Sequence, residues 1–246
     1  MVKKLGLIGH PLHHSFSKRY FNKKFEKNGI IGYEYDLYDI ETIDHVRDVF
    51  SIPNLLGFNV TIPYKHAIQP YLDDLDFSAR KVGAVNVVKL LPNGKKVGFN
   101  SDYYGFKTSL LHWIGNKKIN NALVLGTGGA SKAVLVALED LKINASTVSR
   151  DKNKGAYTYV DLTQRKVIPD HQLIINTTPL GTHPKEGEAP DLPYEQLATK
   201  HFLYDLIYNP AETSFMKKGI SAGAKVKNGY EMLVLQAEKS WEIWNT

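Results

Sequence analysis

Hydrophobic and polar positions change period several times along the chain, and each change marks an element. Lys3–Ile8 is a short β-rich run that predicts a strand, and the amphipathic stretch Lys18–Asn28, stopped by Gly29, predicts a helix. Tyr33–Tyr38 reads as a strand, Thr42–Phe50 as a helix, Leu56–Ile62 as a strand closed by Pro63, and Asp74–Lys81 as helical. Ala84–Leu91 and Lys95–Phe99 then flank Pro92-Asn93-Gly94, and Asn-Gly between two β-rich runs is a hairpin signal. A helix over Asp102–Trp113 follows. A second alternating block opens at Asn121: strand Ala122–Leu125, glycine-rich turn Gly126–Ser131, helix Lys132–Leu141 and strand Ala145–Ser149. Leu173–Asn176 and Phe202–Asp205 continue as strands, Thr213–Lys218 as a short helix and Lys225–Lys227 as a short strand. The chain closes on a helix over Tyr230–Trp244, with Leu233, Ala237, Trp241 and Trp244 at helical spacing. Strand–helix alternation implies two α/β units of mainly parallel sheet covered by helices, divided near residues 101–120. Gly181–Pro193, rich in Pro, Gly and Glu, is the one long loop.

Composition narrows the classes. The 246 residues include no cysteine, which removes a disulfide framework, a Cys-ligated zinc and a thiol nucleophile. Apolar runs such as Ala122–Leu125 and Leu233–Leu235 fall far short of the ~18 residues a membrane span needs, so no membrane association is expected. Lys3 and Lys4 lack the apolar region a secretory signal would place behind them, and the cytoplasm is the expected compartment. Lys and Arg number 31 against 25 Asp and Glu, a formal charge of +6 that suits either nucleic acid or an anionic small ligand. The basic residues come as doublets (Lys3-Lys4, Lys23-Lys24, Lys95-Lys96, Lys117-Lys118, Lys217-Lys218) at element ends and turns rather than as a phosphate-tracking stripe. A small anionic ligand is expected, and no nucleic acid.

The segment ALVLGTGGASKA puts glycines directly between a strand and a helix. Residues without Cβ let backbone N–H groups approach a pyrophosphate there, and the helix N-terminus adds partial positive charge. Ser131 stands where the third glycine or alanine of the strict fingerprint would be, and a tight turn needs no ligand, so the turn alone decides little. Its partner is Ser149-Arg150, about twenty residues on at the end of the next strand, where such a site reads the adenosine ribose. A guanidinium at that place favours the 2′-phosphate of NADP over the free hydroxyl of NAD. Asp151 works against it, and Lys152 and Lys154 restore positive potential.

In the first unit, polar residues cluster at strand ends, where open α/β sheets bind ligands. GHPLHHSFSK offers Ser15 and Ser17; GFNVTIPYK offers Asn59, Thr61 and Lys65; Asn86, Asn100 and Asp102 follow. Hydroxyls, amides, one lysine and one aspartate suit a small polyhydroxylated substrate. Simpler uses exist: Ser17 and Asp102 would each serve as a helix N-cap, and Lys65 as a surface lysine. His10, His13, His14 and His66 lack a zinc-like spacing on a helix, and no metal site is expected.

Taken together, these motifs resemble the shikimate dehydrogenase family along nearly the whole chain. The family's G-x-P-x-x-H-S-x-S is similar to Gly9–Ser17, its N-V-T-x-P-x-K to Asn59–Lys65, its G-A-x-N to Gly83–Asn86 and its G-x-N-T-D-x-x-G to Gly98–Gly105. Further on, G-x-G-G-A is similar to Gly126–Ala130, N-x-T-P-x-G to Asn176–Gly181, D-x-x-Y-x-P-x-x-T to Asp205–Thr213, and N-G-x-x-M-L-x-x-Q-A to Asn228–Ala237. Lys18 replaces a proline, Ser101 a threonine, and Ser149-Arg150-Asp151 an Asn-Arg-Thr. The family is commonly somewhat longer, and the shortening falls in Asn153–His171, where one helix–strand unit looks trimmed.

The resemblance implies an N-terminal mixed α/β substrate domain over residues 1–101, joined by the C-terminal helix 229–246, and a Rossmann-type parallel-sheet domain binding NADP over residues 102–228. A cleft between the two and closure on the substrate are expected. The implied reaction is reversible reduction of 3-dehydroshikimate to shikimate by NADPH. Lys65 would be the principal acid/base and Asp102 its partner, which fits the need of a developing oxyanion for a proton donor. Ser15 and Ser17 would bind the substrate carboxylate, and Asn59, Thr61, Asn86, Tyr208 and Gln236 its hydroxyls or ring. Gly126, Gly128, Gly129, Ala130, Ser149, Arg150, Thr177, Leu206 and Gly229 would hold the cofactor, Gly229 at the nicotinamide. Two other readings stand beside this one: a quinate/shikimate dehydrogenase using NAD, and a non-catalytic protein that binds NADP or shikimate. Retention of both Lys65 and Asp102 speaks against the second. Monomer and homodimer are both open.

Overall fold

The computed structural model describes residues 1–12 and 15–246, which leaves His13 and His14 of the histidine set outside the described residues. The chain divides into two compact units, Met1–Ser101 with Gln236–Thr246, and Asp102–Leu235.

The first unit is built on β1 (Lys3–Gly9), α1 (Phe16–Lys27), β2 (Tyr33–Asp39), α2 (Val46–Phe50), β3 (Leu55–Val60), β4 (Asp74–Leu75), α3 (Phe77–Val82), β5 (Val87–Leu90) and β6 (Lys96–Phe99). Its sheet runs β2-β1-β3-β5-β6-β4. The β1–β2, β1–β3 and β4–β6 pairs are parallel, whereas β3–β5 and β5–β6 are antiparallel. The sheet is therefore mixed rather than mainly parallel, because the predicted hairpin closes locally: Leu91 N–H reaches Lys95 O at 2.8 Å while Gly94 takes a φ of +83°. In α1, Phe21 and Phe25 bury one face, one helical turn apart, and Lys24 and Lys27 complement the dipole in the last turn. The cap of α1 differs from expectation. Ser15 is the N-cap, accepting from Lys18 N–H, and Ser17 lies inside the first turn.

Two other stretches depart from the sequence reading. Thr42–Phe50 is a 3-10 turn over Ile43–His45 running into α2, since Thr42 makes no side-chain cap bond. Asp74–Lys81 is split: Asp74 and Leu75 pair with Val97 and Gly98 as a short strand, and the Asp76 carboxylate caps α3 by accepting from Ser78 N–H at 2.8 Å.

The second unit contains α4 (Ser101–Ile114), β7 (Asn121–Leu125), α5 (Gly129–Asp140), β8 (Asn144–Ser149), β9 (Tyr157–Thr158), α6 (Tyr159–Gln164), β10 (Leu173–Asn176), β11 (Phe202–Asp205), α7 (Ser214–Ser221), β12 (Lys225–Lys227) and α8 (Tyr230–Asn245). Ser101 and the end of α8 from Gln236 group with the first unit. The sheet order is β12-β11-β10-β7-β8-β9, all parallel. Strands flanked on both faces must be apolar throughout, and alternation sorts their side chains. Ala122, Val124, Leu173 and Ile175 pack with Phe106 and Leu110 of α4 and Val134 and Leu138 of α5. Leu123, Leu125, Ile174 and Leu203 pack with Leu162 of α6 and Phe215 of α7. The glycine turn is shorter than predicted: Gly129, Ala130 and Ser131 are already helical. Asn153–His171 holds only the two-residue β9, the six-residue α6 with its Thr158/Asp161 capping box, and a 3-10 turn at Ile168–Asp170.

No helix among the described residues is long and apolar enough to cross a membrane. The end of α8 completes the core of the first unit, where Ala237, Ile243 and Trp244 pack on Leu5, Phe21 and Tyr35. Trp244 Nε1 donates to Val88 O at 3.0 Å. A Cβ at Gly57 would sit 2.2 Å from that same oxygen and 2.5 Å from Trp244 Nε1, so only glycine fits there.

Candidate functional site

In chain order the second sheet reads third, second, first, fourth, fifth, sixth strand, and β7 is the strand from which the chain turns both ways. Loops leaving the carboxyl ends of strands separate at such a point and leave a crevice. A cavity of about 290 Å³ occupies it, lined by Gly126–Gly128 after β7, Val148–Arg150 at the end of β8, Tyr159, and Thr177–Leu180 after β10.

The two turn glycines have different reasons. Gly126 takes a φ of +105°, and its Cβ would stand 2.9 Å from Thr177 Oγ1, so the fold itself excludes a side chain. Gly128, the N-cap of α5, has ordinary backbone angles, and a Cβ there would meet nothing within 4 Å. Nothing among the described residues requires glycine at Gly128. What its missing side chain provides is open approach to the N-terminus of α5, where N–H groups and the helix dipole favour an anion. Ser131 is accommodated because its hydroxyl folds back and donates to Gly128 O at 2.6 Å.

Arg150 stands exposed at the rim. Ser149 Oγ accepts from Asp151 N–H at 3.1 Å; the Asp151 carboxylate accepts from Asn153 N–H at 2.9 Å and lies 3.6 Å from Lys154 Nζ, so its charge is answered within its own loop. On the far wall Thr177 donates to Leu125 O at 2.7 Å, and Asn176 Oδ1 accepts from the backbone and hydroxyl of Thr178. Asn176 Nδ2 in turn donates to Asp205, at 3.0 Å, as do Ile207 N–H at 3.1 Å and the Thr213 hydroxyl at 2.6 Å. Asp205 is fully buried, and burial pushes its carboxyl up to about 6 against the pull of these donors. Of the expected cofactor residues, Gly126, Gly128, Ser149, Arg150 and Thr177 line the cavity; Gly129, Ala130, Leu206 and Gly229 do not. Gly229 has a structural reason instead, since its Cβ would fall 2.1 Å from Leu206 O.

The first unit gathers several of its expected substrate residues into one buried hydrogen-bond network. Tyr35 OH donates to Asn59 Oδ1 at 2.8 Å and lies close to Ser17. Asn59 Nδ2 donates to Asn86 O at 3.2 Å and Ser240 Oγ at 2.9 Å, which engages both amide hydrogens. Asn86 exchanges bonds with Ser101, whose hydroxyl also donates to Gln236 Oε1 at 3.4 Å. Tyr35, Ser101 and Ser240 were not among the sequence candidates for this cluster. Tyr35 looks like an ordinary strand aromatic, but Gln236 and Ser240 sit one helical turn apart, a spacing that could have flagged the serine. Thr61 lies just beyond β3 and is half-buried. Lys65 is half-buried, with its carbonyl accepting from Val85 N–H at 2.8 Å. Asp102 is half-buried within the first turn of α4 rather than preceding it as a cap. Tyr208 is 36% exposed. His10 is committed to Asp39, whose other carboxylate oxygen accepts from Leu12 N–H at 3.0 Å.

A doubly wound parallel sheet with a ligand cavity at its switch point, in one chain with a second α/β unit carrying a buried polar network, defines a dinucleotide-binding protein of two units. The sequence model for the shikimate dehydrogenase substrate-binding domain matches residues 7–88. A shikimate dehydrogenase (NADP(+)) from Methanococcus maripaludis is 40% identical, covering 99% of this chain and 91% of the relative. Among solved structures, a chorismate mutase/shikimate 5-dehydrogenase fusion protein from Clostridium acetobutylicum is 40% identical with a TM-score of 0.88, over 100% of this chain and 91% of that one. A shikimate dehydrogenase in complex with NADP+ is 33% identical with a TM-score of 0.86, over 99% and 90%. The chain belongs to the shikimate dehydrogenase family.

Proposed function

We propose that the protein is an NADP-dependent shikimate dehydrogenase, interconverting shikimate and 3-dehydroshikimate in the cytoplasm as a monomer or homodimer. The observation that carries this reading is the cavity at the switch point, with its open glycine at Gly128 and Arg150 at the rim, in a chain related to such enzymes over its whole length. Gly126–Gly128 and the N-terminus of α5 would take the pyrophosphate, and Arg150 the 2′-phosphate. NADPH, when bound, supplies a hydride to the carbonyl carbon. The carbonyl oxygen then needs a proton, and the Lys65 ammonium donates it; in the reverse direction the neutral amine takes it back from the hydroxyl. Asp102 would orient the Lys65 ammonium and balance its charge. Ser15 and Ser17 would hold the carboxylate, with Thr61, Asn86, Tyr208 and Gln236 on the hydroxyls and Asn59 fixing Tyr35 and Ser240 behind them.

Absorbance at the nicotinamide band tests this, with shikimate or quinate and each oxidised cofactor in turn. Turnover of shikimate with NADP+ is expected. A kcat/KM preference for NAD+ would overturn the cofactor assignment, and no turnover with any combination would leave a binding protein. Lys65→Ala and Asp102→Asn should each cost at least roughly a hundredfold in kcat; wild-type kcat in either would remove that residue from the mechanism.

A further inference from the structure

Tyr159 was not among the sequence candidates and is the one cavity-lining side chain contributed by α6. It opens the helix directly after β9, and the Thr158/Asp161 capping box fixes that first turn. Its ring is half-buried against the core cluster that includes Leu162, yet its hydroxyl makes no hydrogen bond to any described residue. Arg150 is close enough for its charge to act on the phenol, which burial nonetheless holds above its ordinary pKa, so the hydroxyl keeps its proton. A half-buried phenol with an unused O–H, facing the same cavity as a guanidinium, is a donor waiting for an acceptor.

The reading of the cavity as an NADP site says which acceptor. Arg150 follows β8, the second strand of the series, where the adenosine ribose is read. Asp151 puts a carboxylate in the same loop. A further neutral donor there adds binding to a phosphate without adding charge that the carboxylate would cancel. We propose that Tyr159 is a specificity-determining residue that donates its phenol hydrogen to the 2′-phosphate of the adenosine ribose alongside Arg150, raising the preference for the phosphorylated dinucleotide.

The test uses binding of adenosine 2′,5′-bisphosphate, 5′-AMP, NADP+ and NAD+ to the full chain by titration calorimetry, in wild type and Tyr159→Phe. Tyr159→Phe should weaken adenosine 2′,5′-bisphosphate and NADP+ by roughly tenfold. It should leave 5′-AMP and NAD+ within about twofold, because a phenyl ring keeps the packing and removes only the donor. Unaltered affinity for the bisphosphate, or equal losses for the bisphosphate and 5′-AMP, would overturn the assignment while leaving the cofactor reading intact. Failure of the wild type to bind adenosine 2′,5′-bisphosphate or NADP+ would overturn both.

Discussion

Replacing Asp205 by asparagine should reverse part of the protein's response to pH. The buried carboxyl titrates near about 6 rather than 3.8, so its charged form is disfavoured in the folded state by about 3 kcal/mol even after the bonds from Asn176, Ile207 and Thr213 are counted. The sign follows from which state holds the proton. Between about pH 4 and pH 6 the folded chain keeps it while the unfolded chain has released it, so stability from this group is greatest in acid and falls as pH rises. Asparagine has almost the same shape, and its oxygen can accept from Asn176 and Ile207. Its amide would face the Thr213 hydroxyl, which then loses its acceptor at a cost of about 1 kcal/mol. At neutral pH, Asp205→Asn should therefore be as stable as wild type or more stable by up to about 2 kcal/mol. In urea titrations at about pH 4.5 and about pH 7.5, the wild-type-minus-variant difference should shift by about 2 kcal/mol against wild type as pH rises. Parallel pH profiles, or a shift in the opposite direction, would refute the argument that desolvation dominates at this carboxylate.

His201 should push the other way. Its ring is fully buried, its Nδ1 accepts from Ala198 N–H at 2.8 Å, and burial lowers its pKa, so below about 6.5 the unfolded chain gains a proton the folded one refuses and stability drops in acid. Its NMR ring titration should have its midpoint below the ordinary 6.5; a midpoint at or above 6.5 would contradict the burial argument. The glycines make a paired test. Gly57→Ala should cost about 1–3 kcal/mol by driving a methyl into Val88 O and Trp244 Nε1, visible as a lowered Tm, and an unchanged Tm would mean the core yields. Gly128→Ala should leave stability within about 1 kcal/mol and instead weaken NADP+ binding in calorimetry; the opposite pattern would mean the open space is not where a ligand comes.

Those two glycines also show what a sequence can and cannot reveal. Gly57 sits inside an apolar strand and Gly128 in a glycine-rich turn, but the letters do not tell that Trp244, 187 positions on, crowds the first while the second faces open space. Apolar runs were legible: β10 and β11 fall where continuous apolar residues and flanking turn residues put them, because a strand buried on both faces must be apolar along its length. The short elements after β8 were not. β9 has two residues and α6 six, too few for a period to show, and α6 is set by a Thr158–Asp161 cap whose spacing is common in loops. That is why Tyr159 escaped notice while Arg150, at a fixed offset from a glycine turn, did not. The polar network of the first unit divides in the same way. Asn59 and Asn86 stood out as amides where packing asks for none and Gln236 through the family motif, whereas Tyr35 and Ser240 carry the same hydrogen bonds under the cover of residue types that strands and helices ordinarily accept. A sequence reading finds residues that violate a local preference, so it finds the groups that reach toward a ligand more readily than the groups that hold them still. In this chain the second set includes Asp205, whose buried charge ties Asn176, Ile207 and Thr213 together, and through Asn176 fixes the Thr178 wall of the cavity.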